Sequence, residues 1–110
     1  MRVLLDENLD PRLRTLLSDH DCTTVVYAGW AGLKNGALLA TVQAAGYQVF
    51  LTGDRKIPFE HNMDGRQIAI VVLTAHQLSI IQVKLVEISA AIRNAKPGSV
   101  TVVECGEFRR

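Results

Sequence analysis

The stretch QIAIVVL, from Gln67 to Leu73, limits the possible folds more than any other part of the chain. From Ile68 onward it carries no polar side chain, so neither face can lie in water. Such a strand belongs inside a parallel sheet covered by helices on both sides. RVLL at Arg2–Leu5 has the same character in a shorter form. Parallel neighbours cannot be joined by tight hairpins, so amphipathic crossover helices are expected between the strands.

The rest of the sequence fits that expectation. Asp10 and Pro11 read as an N-cap and first helical residue, and Leu13, Leu16 and Leu17 as the buried face of a helix ending near Asp19 or His20. Thr23 to Tyr27 reads as a second strand, followed by the glycine-rich loop AGWAGLKNG. Leu38, Leu39, Val42 and Ala45 form a second helical stripe, which Gly46 terminates. Tyr47 to Leu51 is the third strand and QIAIVVL the fourth. Ser79 with Gln82 has capping-box spacing, Leu78 with Val83 that of a hydrophobic staple, and Ile81, Leu85, Ile88 and Ile92 continue the stripe up to Lys96, Pro97 and Gly98. Val100 to Val103 is the last strand, and a polar tail is expected over residues 104–110. This alternation predicts a single α/β domain over residues 1–110 with a mainly parallel sheet.

Composition sets further bounds. The chain has 110 residues, enough to bury a core without disulfides or metal staples, and 48% of them are hydrophobic. No apolar run has the length of a bilayer span and no signal-type segment precedes Asp6, so the cytoplasm is the expected compartment and no membrane association is expected. Cys22 and Cys105 lack the paired spacing of a zinc or redox motif and read as buried free thiols. A net charge of +1 gives no global attraction for nucleic acid, so binding would need a local patch, for which Lys34, Arg55, Lys56 and Arg66 are the candidates.

Acidic residues stand where two buried strands end. Asp6 and Glu7 follow the first strand, while Thr52, Gly53 and Asp54 follow the third. Ligands of open α/β sheets collect beyond the carboxyl ends of the strands, where two carboxylates can share a hard divalent cation. Asp54 also reads as an ordinary turn residue beside Arg55 and Lys56.

DENL after the first strand, GLKNG before the second helix and T-x-D after the third strand resemble small bacterial PIN-like proteins, over Met1 to about Asn62. That resemblance implies a three-layer α/β/α sandwich and a Mg²⁺- or Mn²⁺-dependent ribonuclease, many relatives being toxins of toxin–antitoxin modules. It makes Asp6 and Asp54 metal ligands, Thr52 their support and Glu7 an assisting acid. Lys34, Arg55, Lys56, His61 and Asn62 become candidate RNA contacts. RNA, an antitoxin protein and a second copy of the chain are the partners it suggests. The departure lies at Ala37, where relatives containing GLKNG usually carry Glu, and no acid occurs between Asp21 and Asp54. Glu60 and Asp64, in the loop IPFEHNMDG, are replacement candidates. The weakened metal set leaves a non-catalytic RNA- or protein-binding module as the alternative. Trp30 reads as a base-stacking residue, a core cap or a dimer contact, and His76 carries no assigned role.

Overall fold

A computed structural model describes residues 1–33, 35–57 and 66–105. Lys34, Glu60, His61, Asn62 and Asp64 therefore lie outside the described residues.

Among the described residues, five short strands form one sheet in the order β2-β1-β3-β4-β5, with every neighbouring pair parallel. They are β1 (Arg2–Leu5), β2 (Asp21–Thr24), β3 (Val49–Thr52), β4 (Ala69–Leu73) and β5 (Val100–Val103). β3 and β4 are buried along their whole length, as their apolar runs require. The pleat then divides the strands between two cores. Val3, Leu5, Val49, Leu51, Val71 and Leu73 pack on one face with Leu13, Leu17, Ile81, Ile88 and Ile92. Leu4, Phe50, Ile70 and Val72 pack on the other with Val25, Leu38, Leu39 and Val42. A sheet with a separate core on each face is a three-layer α/β/α arrangement.

The helices carry most of the differences from the sequence reading. The helix after β1, α1, is confined to Leu13–Leu16 and has no side-chain cap. Asp10 Oδ1 accepts instead from Arg12 N–H, and the Asp10 carbonyl accepts from Leu13 N–H, a tight lead-in turn that uses up the expected first helical turn. Leu16 is left partly exposed while Leu13 and Leu17 are buried.

The second strand stops at Thr24 rather than Tyr27. Thr24 Oγ1 accepts from Tyr27 N–H at 3.0 Å and caps a single helical turn, α2 (Val25–Ala28). Gly29, at φ 84°, closes that turn, with Gly29 N–H bonded to the Val26 carbonyl and Trp30 N–H to the Val25 carbonyl. This is a Schellman ending, and together with the threonine cap it overrides the strand preference of the β-branched run.

α3 (Asn35–Ala44) ends in the same way, on Gly46 at φ 90°, as expected. Gly46 and Tyr47 N–H groups bond to the Gln43 and Val42 carbonyls. Trp30 and Tyr47, each the residue after a terminating glycine, meet edge to face with centroids 6.0 Å apart and pack on the second core. Trp30 is thus a core cap.

After β4 the single expected helix divides into α4 (Leu78–Ile81), a 3₁₀ turn over Gln82–Lys84, and α5 (Leu85–Arg93). Gln77 precedes α4 in extended backbone, and its carbonyl takes the Ile80 and Ile81 N–H groups, so the chain enters the helix ahead of Ser79 and the capping box does not form. Val83 is 76% exposed, so it makes no staple.

Both cysteines are buried and free. Cys105 N–H donates to Thr74 Oγ1 at 2.8 Å, so the chain is anchored two residues into the stretch expected to be a polar tail. Among the described residues no helix is long and apolar enough to cross a membrane.

Candidate functional site

The register of the sheet builds the site. Leu4 lies opposite Phe50 and Leu5 opposite Leu51, so one step further along places Asp6 opposite Thr52. The ladder itself extends that far, because Asp6 N–H donates to the Leu51 carbonyl at 2.9 Å. The strand order makes this the switch point of the sheet. From β1 the chain steps outward to β2 and then returns past β1 to β3, so the crossovers on either side of the β1/β3 seam diverge. A crevice opens at such a seam, beyond the carboxyl ends of the strands.

Asp6 is 8% exposed and Thr52 is fully buried. The Thr52 hydroxyl donates to Asp6 Oδ2 at 2.7 Å and accepts from Asp54 N–H at 3.0 Å. One hydroxyl thus ties the two acidic segments together and uses both its donor and an acceptor site. The other carboxylate oxygen of Asp6 accepts from Glu7 N–H at 2.8 Å. Asp54 Oδ1 accepts from Lys56 N–H at 2.9 Å, an Asx turn that directs the chain into the next bend. Arg55 and Lys56 are exposed on that bend and form no ion pair among the described residues.

Two residues without an assigned role complete the turn. Asn8 Oδ1 accepts from Gly53 N–H at 3.1 Å, and His76 Nε2–H donates to the Gly53 carbonyl at 2.8 Å. The peptide groups on both sides of Gly53 are therefore held from outside the strand. The His76 ring also lies so close over Gly53 that a Cβ there would collide with it, so glycine is required at this position by close approach. Asn8 was visible as part of DENL, whereas nothing in the local pattern around His76 pointed across 23 residues to Gly53.

Asp6 and Glu7 open onto a concavity of about 300 Å³, lined also by Leu9, Pro11, Thr24, Val26 and Tyr27. Glu7 is exposed. Among the described residues, no group of three His, Cys, Asp or Glu side chains is placed to hold a metal ion. The donors that are present are all oxygens. A Mg²⁺ ion retains several waters and commonly uses only one or two protein carboxylates, so Asp6 and Asp54 fit such an ion chemically. Ala37 is exposed in the first turn of α3 and adds no oxygen ligand.

Of the residues singled out from the sequence, Asp6, Thr52 and Asp54 are joined directly, and Glu7, Arg55 and Lys56 adjoin them. No family model, no curated protein and no solved structure matches the chain.

Proposed function

We propose that the protein is a metal-dependent endoribonuclease of PIN-like type, its activity weakened by the missing acid at Ala37. The observation that carries this reading is the Asp6–Thr52–Asp54 linkage at the switch point of the sheet. Asp6 and Asp54 would hold Mg²⁺ or Mn²⁺, which when bound supplies an activated water and offsets charge on the phosphodiester. The protein's own part is positional. Thr52 fixes one oxygen of Asp6, Asn8 and His76 fix the Gly53 peptides between Thr52 and Asp54, and Arg55 and Lys56 provide positive charge for an RNA phosphate. If the protein is a toxin, an antitoxin would act by covering this edge of the sheet.

A second reading, a non-catalytic RNA- or protein-binding module, is favoured by Ala37 itself. With α2, α3 makes the crossover from β2 to the parallel strand β3 and so runs back against the sheet direction, its first turn beginning at the edge where the acids lie. A carboxylate at position 37 would suit both that edge and the positive end of the helix.

Cleavage of single-stranded RNA in Mn²⁺ by the wild type, Asp54→Asn and Ala37→Glu separates the two. The nuclease reading expects slow wild-type cleavage, loss of it in Asp54→Asn, and a gain of about tenfold or more in Ala37→Glu. Inactivity of every variant, Ala37→Glu included, would leave the binding module.

A further inference from the structure

We infer that the exposed ring of Tyr27 is a stacking platform for one base of a single-stranded RNA, with Arg14 contacting a backbone phosphate beside it. This deepens the phosphodiester reading of the acidic site and rests on it for the identity of the strand.

Tyr27 is 82% exposed, although its ring is large enough that folding would ordinarily bury much of it. The turn that carries it is fixed at both ends, by the Thr24 cap and by Gly29, so the exposure is built into the backbone. Since α2 begins directly where β2 ends, Tyr27 lies at the same sheet edge as Asp6, and the two line one concavity. A second concavity of about 310 Å³ shares Pro11, Thr24 and Tyr27 with the first and adds Arg12 and Arg14. The two concavities adjoin through these three residues, the first carrying the Asp6 and Glu7 carboxylates and the second the Arg12 and Arg14 guanidinium groups.

The two arginines differ. Arg12 is committed to Asp10 at 2.7 Å, and that guanidinium holds the Asp10 carboxyl down at about 2. Arg14 is exposed and has no ion-pair partner among the described residues. An unpaired guanidinium next to an open aromatic face complements a nucleotide, which brings a π-face and an anion together. An apolar peptide seated on Tyr27 would desolvate Arg14 with no anion supplied to it. The base must be unstacked from its neighbours to lie on the ring, so the strand is single-stranded.

The test is fluorescence anisotropy with a short fluorescein-labelled single-stranded RNA in EDTA, where neither cleavage nor added metal contributes. Tyr27→Ala should weaken binding roughly 5- to 100-fold, and Tyr27→Trp should restore it. Arg14→Ala should weaken binding and lower the slope of log affinity against log salt by roughly 0.7–1. Duplex RNA of the same sequence should compete poorly. Wild-type binding in both alanine variants, or no RNA binding by the wild type, would overturn the inference. So would a sedimentation result in which Tyr27→Ala splits a wild-type dimer and leaves RNA binding unchanged. Binding that depends on Tyr27 and Arg14 in a protein inert with Mn²⁺ would reject the nuclease reading alone. Mn²⁺-dependent cleavage unaffected by either substitution would reject the Tyr27 and Arg14 contacts alone.

Discussion

At the scale of single residues, Thr52 is the pivot, because a fully buried hydroxyl there donates to a nearly buried carboxylate and accepts a backbone N–H from the next acidic segment. Thr52→Val keeps the shape and removes both bonds, which should cost about 1–3 kcal/mol in urea unfolding, while Thr52→Ser should retain most of the stability. A valine variant as stable as the wild type would show that the linkage is incidental. Gly53 and His76 make a coupled pair. A Cβ at position 53 would push the His76 ring off its bond to the Gly53 carbonyl, so Gly53→Ala and His76→Ala should be strongly non-additive in a double-mutant cycle. Additive costs would contradict the contact. Burial pushes the Cys22 thiol from 9.0 up to about 11 and raises Cys105 as well. Both should resist alkylation at pH 8 until the protein unfolds. Because the unfolded Cys22 thiol ionises first, its contribution to stability should decline as pH rises from about 9 to about 11, which denaturant midpoints across that range would record. Asp54 was legible as an acid just past the end of an apolar run, and Thr52 through the resemblance of T-x-D to the PIN-like motif. His76 was not, since its role arises from a contact made only when β3 and β4 are aligned.

At the scale of elements, the inner strands β1, β3 and β4 were legible because burial on both faces leaves a plain apolar signature, clearest in the β4 segment AIVVL and in the β3 segment VFLT. The errors fall where a short polar side chain competes for the backbone. Thr23 to Tyr27 has strand composition, yet the Thr24 hydroxyl and Gly29 turn its second half into α2. Asp10 has cap chemistry but spends it on Arg12 N–H ahead of the helix. Propensity and cap signals of similar size pointed opposite ways, and tertiary packing of Val25 into the core decided between them. Thr24→Ala should therefore destabilise the protein by about 0.5–2 kcal/mol. It should also quench or shift the signals of Tyr27 in NMR, since the cap holds that residue's N–H. An unchanged Tyr27 environment would mean that the glycine ending alone sustains the turn.

At the scale of the whole molecule, the parallel sheet gathers every strand's carboxyl end at one edge, so two acids 48 positions apart become neighbours of one hydroxyl. The α/β class followed from the apolar runs and the alternation of elements. The order β2-β1-β3-β4-β5 did not, because crossover direction is settled by packing between layers and leaves no local mark in the chain. That order turns a pair of acidic motifs into a single candidate centre, and the central claim is that Asp6 and Asp54 serve one cation together. The most direct measurement is thermal unfolding with and without Mn²⁺ for the wild type, Asp6→Asn, Asp54→Asn and the double variant. An ion bound to the native state alone stabilises it by mass action, by about 2.7 kcal/mol at a hundred times its Kd. The account predicts that the wild type gains stability with Mn²⁺, that each single variant loses most of that gain, and that the double variant loses no more than either. A full Mn²⁺ response in Asp6→Asn or in Asp54→Asn would contradict it.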